Sequence, residues 1–241
     1  MRVKFMKIYF VIPLLFTAPV VLAQDAGAGA GSVEVINMDN LDSATLEKML
    51  GEGTPVVADI LIERARAYLA KGEYAEALPL YKRALELKEK VWGDDSVEAA
   101  KAMNELAFFY SSQHEYANAL PLYKRALAIR ENTLGKDHPG VATVLNNLAL
   151  VYNAQKDFDK AIPLLERSLE ICEKTLGKDA LDTGNTLNNL GMSYYDMQDY
   201  VKAVDYLKRA IVIYVAKLGD NHPDTNVVQE NLDLALKMLK Q

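Results

Sequence analysis

Asparagine recurs in this sequence at a spacing that suits binding to another chain. Asn104, Asn146 and Asn188 are separated by 42 residues each time. A carboxamide both donates and accepts hydrogen bonds, so a row of them can satisfy the backbone of an extended peptide without requiring a charge. With the side chains that recur beside them, they form the predicted peptide-binding site: Asn104, Asn146, Asn188, Phe108, Leu150, Met192, Asn153 and Tyr195. The alternative, that these amides bond neighbouring repeats and serve stability, stays open.

Residues suited to catalysis or metal binding follow no comparable pattern. His138 and His222 stand in the same loop of two copies, two repeats apart, so we do not expect them to converge on one metal ion. We interpret them, with His114, as loop and capping residues. The sequence contains no HExxH, GxSxG or CxxC motif and no phosphate-binding loop. We therefore predict a non-catalytic protein without metal or cofactor, and an enzyme with an unrecognised site is the alternative.

The single cysteine and the recurrent arginines have structural interpretations. Cys172 has no second cysteine for an intramolecular disulfide, and we expect it to be a partly buried helix residue. Arginine recurs at the 42-residue spacing, as Arg83, Arg125, Arg167 and Arg209. We predict local helix pairs, Arg83 with Glu86 and Arg167 with Glu170, rather than an anion-binding row.

These residues belong to a tandem repeat, which must position them. Glycines recur at the same 42-residue spacing, each after a large apolar residue: Gly93, Gly135, Gly177 and Gly219. Alignment of the segments that start at Ala99 and Val141 gives 18 identities over 42 positions. Such self-similarity is typical of repeat architectures, in which each copy is one supersecondary unit.

Within a copy the apolar period is that of a helix. In the third copy, Leu145, Leu148, Ala149 and Tyr152 share one helix face, and a second apolar stripe begins at Ala161. The polar segment 155–157 joins the two stripes, and a link this short predicts an antiparallel helix hairpin.

Glycine and the residues after it are expected to form the junction between copies. Gly177 and its equivalents are predicted to end the second helix in a left-handed conformation. The Asx residues two positions later are predicted to cap the next helix: Asp95, Asp137, Asp179 and Asn221. Pro139 and Pro223 can then occupy the first turn of that helix.

The third and fourth copies resemble the tetratricopeptide repeat. The pattern Leu145-x-x-Leu148-Ala149-x-x-Tyr152, followed by Ala161, carries the resemblance. The 42-residue length and the phrases LNNLALVY, YKRALAI and LGKDHPGVA are similar to the kinesin light chain branch of that family. The resemblance implies an all-α superhelix, a tetratricopeptide solenoid whose first helices line a concave surface, which would place the asparagines in a groove. It implies a protein or peptide partner.

The predicted organisation has four hairpins and flanking segments. The boundaries are 1–23 for a signal peptide, 24–40 for a flexible linker and 41–55 for a short helix and turn. The repeats span 56–98, 99–140, 141–182 and 183–222, and 223–241 forms a C-terminal capping helix.

The first residues indicate export. Arg2, Lys4 and Lys7 precede an apolar stretch over 8–22, and cleavage is predicted after Ala23. The remaining chain would carry 24 basic and 33 acidic residues, a net charge of −9, which argues against nucleic acid and anionic membrane as partners.

We therefore expect a periplasmic or secreted scaffold that binds a peptide segment of a partner. A self-assembling subunit and a membrane-tethered structural subunit, the latter if the signal is uncleaved, are the alternatives. The oligomeric state is open.

Overall fold

The computed structural model describes Thr45, Lys48 and residues 55–240. Within these residues it contains nine α-helices and no strand. In chain order they are α1 (Pro55–Lys71), α2 (Tyr74–Trp92), α3 (Val97–Ser112), α4 (Tyr116–Leu134), α5 (Pro139–Ala154), α6 (Phe158–Thr175), α7 (Leu181–Asp196), α8 (Tyr200–Leu218) and α9 (Pro223–Leu239). Helices α3, α5 and α7 each begin two residues before the start predicted for their repeat.

The predicted signal peptide and linker lie outside the described residues. Of the short helix expected before the repeats, only Thr45 and Lys48 are described, and both are helical. No described helix is both long enough and apolar enough to span a bilayer.

The described chain divides into two units, and the division falls within α3 between Glu105 and Leu106. In the first unit α1 packs against α2. Leu61, Ala65 and Tyr81 are buried in its core. Lys88 is also buried there, and its ammonium lies 2.6 Å from Asp59 Oδ1.

In the second unit α5 pairs with α6 and α7 with α8, while α4 and α9 pack on either side. A small residue lies where the two helices of a hairpin approach closely. Ala149 holds that position in the third copy and is fully buried. Gly191 holds it in the fourth, and a Cβ there would lie 2.6 Å from Leu207 Cγ. The close approach of α7 and α8 therefore leaves room for glycine only, unless Leu207 shifts.

Each hairpin turn has a residue with positive φ at the end of its first helix. These residues are Gly72, His114, Lys156 and Gln198, with φ between 60° and 78°. In the third hairpin the Lys156 amide donates to Asn153 O and the Asp157 amide donates to Tyr152 O. This is the Schellman arrangement, which satisfies carbonyls that the helix end leaves unpaired. The other three turns repeat both bonds.

The repeated glycines after the second helices also have positive φ, as predicted, but not the left-handed helical conformation. Gly93, Gly135 and Gly219 combine φ of 88–89° with ψ of 154–162°. This extended region with positive φ is accessible almost only to glycine. A Cβ would meet nothing within 4 Å at these glycines, so backbone conformation alone selects the residue.

The prediction that Asx residues cap the next helices is wrong by one position. Asp137 lies inside a turn closed by a bond from the His138 amide to Gly135 O. His138 is the N-cap of α5, and its Nδ1 accepts a hydrogen bond from the Gly140 amide. His222 caps α9 in the same way, and Ser96 Oγ accepts from the Ala99 amide. Ala180 occupies this position before α7 and has no side-chain acceptor.

Pro139 and Pro223 lie in the first turns of α5 and α9, as predicted. The capping role expected for His138 and His222 is confirmed, because each imidazole satisfies one of the amides that a helix start leaves unpaired. His114, in the second hairpin turn, lies 2.7 Å from the Tyr116 hydroxyl through its Nδ1.

Only one of the two predicted arginine pairs is present. Arg83 pairs with Glu86 at 3.0 Å. Arg167 does not pair with Glu170; its guanidinium lies 2.5 Å from Glu131 on the preceding second helix, α4. Stacking of the second helices places a carboxylate of one within reach of an arginine of the next, and Arg209 of α8 pairs with Glu173 of α6 in the same manner.

Helix α9 matches the predicted capping helix. Its apolar face, with Val228, Leu232 and Ala235, is buried in the second unit. At the positions equivalent to Leu187 and Gly191 of α7 it carries Gln229 and Asp233, which are exposed and bonded to each other at 2.9 Å. The face that would receive another second helix is thus polar, as the end of a repeat array requires.

Candidate functional site

The first helices of the second unit form one layer, because α5 contacts α7 and α7 contacts α9. Asn146 and Asn188 lie on this layer and are half-buried. Asn104 lies on α3 in the first unit and is buried, with 7% of its surface exposed. The predicted asparagines are therefore placed on equivalent helix positions, and the two later ones are accessible.

Amide pairs join successive first helices. Asn189 Nδ2 of α7 donates to Asn146 Oδ1 of α5 at 3.0 Å, and Asn231 Nδ2 of α9 donates to Asn188 Oδ1 of α7 at the same distance. The alternative that these asparagines bond neighbouring repeats is confirmed for both. In each pair Asn146 or Asn188 accepts through its side-chain carbonyl. The Nδ2 groups of Asn146 and Asn188 donate to none of the described residues.

A second polar contact between first helices involves Asn153. Its Nδ2 donates to Ser193 Oγ at 2.7 Å, and Ser193 Oγ donates to Asn189 O. The Oδ1 atom of Asn153 is buried and accepts no hydrogen bond from the described residues. Tyr195, its equivalent on α7, is half-buried and packs edge-on against Tyr200 at 5.6 Å between ring centres.

The apolar members of the predicted site differ in accessibility. Phe108 and Leu150 are half-buried, whereas Met192 is 8% exposed and belongs mainly to the core. Of the three, Leu150 lies beside Asn146 in a cleft of the second unit.

The first unit has an ion pair where the later junctions have amides. Glu105 is equivalent to Asn189 and Asn231, and both its oxygens bond Arg66, at 2.9 Å from Nε and 2.7 Å from Nη2. The hydrogen bond to Glu105 raises the pKa of the Arg66 guanidinium. Glu63 also contacts Arg66 at 2.7 Å. The charge of Arg66 is therefore balanced by two carboxylates of its own unit.

A cleft of about 240 Å³ opens between α5 and α7, with α6 and α8 below it. Asparagines from both first helices line it: Asn146, Asn147, Asn185, Asn188 and Asn189. Leu150, Leu176, Cys172, Asp182 and Tyr214 complete much of the remaining wall. The structure thus brings together three of the predicted site residues, Asn146, Asn188 and Leu150.

Sequence reasoning missed the deeper cleft residues. Tyr214 and Asn185 form a pair in which the hydroxyl donates to Asn185 Oδ1. Only the fourth copy has this combination, because the equivalents of Tyr214 are Lys88, Arg130 and Cys172. The Tyr214–Asn185 pair is therefore not visible as a repeated feature of the sequence. The one available signal was the change of residue type at a buried helix position.

The cleft is polar and weakly acidic. Burial raises the pKa of the Cys172 thiol and of the Tyr214 hydroxyl, so both groups are neutral near pH 7. The Asp182 carboxylate adds to both shifts. Asp182 is the one acidic residue in the lining, which contains no lysine, arginine or histidine. Cys172 lies in α6, as expected, but at 3% exposure it is fully buried rather than partly buried.

Among the described residues, no group of three or more His, Cys, Asp and Glu side chains is placed to hold a metal ion.

A family model described as "Tetratricopeptide repeat" matches four overlapping segments, at residues 56–107, 98–174, 141–214 and 182–241. No curated protein is significantly similar to the chain.

Solved structures with the same fold include BtubC (BKLC) from P. vanneervenii, with a TM-score of 0.70 and 24% identity over 82% of this chain and 80% of that one. A putative kinesin light chain from Podosopora anserina, with nearly identical TPR-like repeats, gives a TM-score of 0.65 and 25% identity over 78% of this chain and 89% of that one. The all-α tetratricopeptide fold predicted from the sequence and the resemblance to the kinesin light chain branch are confirmed.

Proposed function

Because the chain belongs to the tetratricopeptide repeat family, whose members are generally scaffolds for protein interactions, we propose that it is a non-catalytic scaffold for an extended peptide segment of a partner. The segment binds across the first helices of the second unit, along the layer formed by α5, α7 and α9.

The observation that carries the proposal is the orientation of the two amides. The carbonyls of Asn146 and Asn188 accept bonds from the next helix, which fixes each side chain and leaves its Nδ2 group as a donor. Packed helices lie about 8–10 Å apart, and a polyproline II segment has three residues per turn and advances about 3.1 Å per residue. The two donors therefore suit carbonyls three residues apart, which lie on the same side of such an extended segment.

The test separates the donor from the inter-repeat bond. In the double variant Asn146→Asp, Asn188→Asp, each carboxylate still accepts from Asn189 or Asn231, but no donor is left for a peptide carbonyl. Peptides selected from a displayed random heptapeptide library should bind this variant at least tenfold more weakly by calorimetry.

The matched control is Asn231→Ala, which breaks one inter-repeat bond without removing the Asn188 donor. It should lower stability and weaken peptide binding by only a few-fold, because the Asn188 side chain is no longer held but both Nδ2 donors remain. Unchanged affinity in the Asn146→Ala, Asn188→Ala double variant would contradict the proposal.

We further propose that the scaffold acts outside the cytoplasm. The support is the basic start and apolar stretch of residues 1–23. Intact mass of the protein from its native envelope should correspond to a chain that begins at Gln24. A mass that retains the preceding residues would indicate a membrane-tethered protein instead.

A further inference from the structure

The cleft between α5 and α7 has a size and charge that define one position of the bound segment. This inference rests on the proposed function: we infer that the cleft receives the side chain of a lysine or arginine of the partner, whose cationic head lies at Asp182 and whose stem lies along Leu176.

The size of the cleft suits a side chain rather than a separate small molecule. Its volume is about 240 Å³, and sites for drug-sized ligands usually enclose about 300–1,000 Å³. Its walls come from both first helices on which the proposed strand lies. A side chain that leaves the strand at this point therefore enters the cleft directly.

The charge of the cleft selects a cation. The Asp182 carboxylate makes no ion pair within the described part of the chain, and the other lining groups are neutral amides, hydroxyls, a thiol and apolar side chains. No lysine or arginine lines the cleft to receive an acidic side chain. The net charge of −6 for the whole chain also favours a basic partner segment.

The walls also suit the long stem of such a residue. Leu176 is 42% exposed and follows the end of α6, six residues before Asp182. Lysine and arginine bury their methylene stems on apolar surface while the charged head stays hydrated. Asp182 is itself exposed, so the ammonium or guanidinium keeps contact with water and the attraction weakens with salt.

Asp182 also lies in the first turn of α7, where a carboxylate favours the helix through its dipole. That role alone predicts a loss of stability in Asp182→Asn and no change in ligand preference. Asp224 occupies the equivalent position in α9 and lies outside the cleft. The Asp224 carboxylate also contributes to the raised pKa of Tyr214 in the cleft wall and lies 3.4 Å from His222 Nδ1. Asp224→Asn therefore controls both for the helix effect and for the loss of a nearby charge that is not in the cleft.

The experiment uses two probes of nearly the same size and shape, of which only the first is charged: acetyl-arginine methylamide and acetyl-citrulline methylamide. Each is titrated into the isotopically labelled protein at low ionic strength and followed by NMR. We expect the arginine probe to shift amide signals of α5 and α7 and to bind about fivefold more tightly than the citrulline probe. Fivefold corresponds to about 1 kcal/mol, the attraction between two opposite unit charges about 4 Å apart in water. This preference should vanish in Asp182→Asn and persist in Asp224→Asn.

The same variants are then tested against the displayed heptapeptide library. Enrichment of lysine or arginine at one position, lost in Asp182→Asn, supports the inference. Peptides that bind without such enrichment, or equal affinity for the arginine and citrulline probes, overturn it and leave the proposed function intact. If no peptide binds, the proposed function fails, and this inference fails with it.

Discussion

Gly191 shows how a single residue sets the closeness of two helices. A Cβ at this position would lie 2.6 Å from Leu207 Cγ and 3.2 Å from Ala203 O, both closer than van der Waals contact allows. Ala149 holds the equivalent position in the third hairpin and fits there without exposure. The fourth hairpin is therefore adapted to glycine and cannot accept the residue found one repeat earlier without a shift of Leu207.

Gly191→Ala should accordingly destabilise the protein. Overpacking costs about 1–3 kcal/mol, and the better helix propensity of alanine offsets about 1 kcal/mol of it, so we expect a net loss of about 1 kcal/mol. Urea unfolding followed by circular dichroism measures it.

The control adds Leu207→Ala to Gly191→Ala, which makes room for the new methyl group. The double variant should lose less stability than the sum of the two single variants. Strict additivity, or a Gly191→Ala protein as stable as wild type, would contradict the close approach.

At the scale of the element, the hairpin turns contain conformations that their residues do not favour. Lys156 and Gln198 have φ of 61° and 66°, a region that costs a residue with a side chain about 1 kcal/mol or more. The first hairpin places Gly72 at this position. The Schellman bonds, rather than residue preference, hold the later turns in shape.

Lys156→Gly should therefore stabilise the third hairpin. Relief of the backbone strain exceeds the extra entropy that glycine gives the unfolded chain, and we expect a gain of about 0.5–1 kcal/mol. The midpoint of thermal unfolding should rise in the variant. Gly72→Lys, the reverse exchange in the first hairpin, should lower it, and a Lys156→Gly protein of reduced stability would count against the turn geometry.

The helix ends show which features could be predicted from the sequence and which could not. The 42-residue period and the helical stripes sufficed for the hairpins, because burial of an apolar face leaves few alternatives. They did not suffice for the helix ends, since Asp137 and His138 are both chemically able to cap and only the turn closed on Gly135 decides between them. Arg167 was likewise assigned to its own helix because its partner, Glu131, lies in another repeat.

For the candidate site, the asparagine row was visible because it repeats, whereas Asp182 and the Tyr214–Asn185 pair were not. The first is an ordinary residue for a helix start, and the pair occurs in only one copy. Features that belong to a single repeat emerge only when neighbouring repeats are packed together.

At the scale of the whole molecule, the last helix limits the length of the array. Gln229 and Asp233 bond to each other across the face where α7 presents Leu187 and Gly191 to its partner helix. An apolar surface there would remain uncovered by this chain and would favour association with other copies.

The double variant Gln229→Leu, Asp233→Ala should therefore associate in a concentration-dependent manner. Sedimentation velocity across a hundredfold range of concentration should show an average mass that rises with concentration. The circular dichroism spectrum of the variant should remain close to that of the wild-type protein. Glu230→Leu, which adds apolar area on a different side of α9, is the control and should sediment as wild type does. Identical behaviour of the two variants would argue against a specific capping face.

The glycine turn at the end of each second helix bears on how such a gene changes over time. Gly93, Gly135 and Gly219 share one backbone conformation, with φ of 88–89° and ψ of 154–162°. In the third copy the second helix ends one residue earlier and the Gly177 amide donates to Cys172 O, so the chain leaves three of the four copies with the same geometry. Unequal crossing-over that adds or deletes 42 codons therefore joins compatible ends. The number of copies can drift by whole units, provided that the helix with Gln229 and Asp233 is inherited as the last.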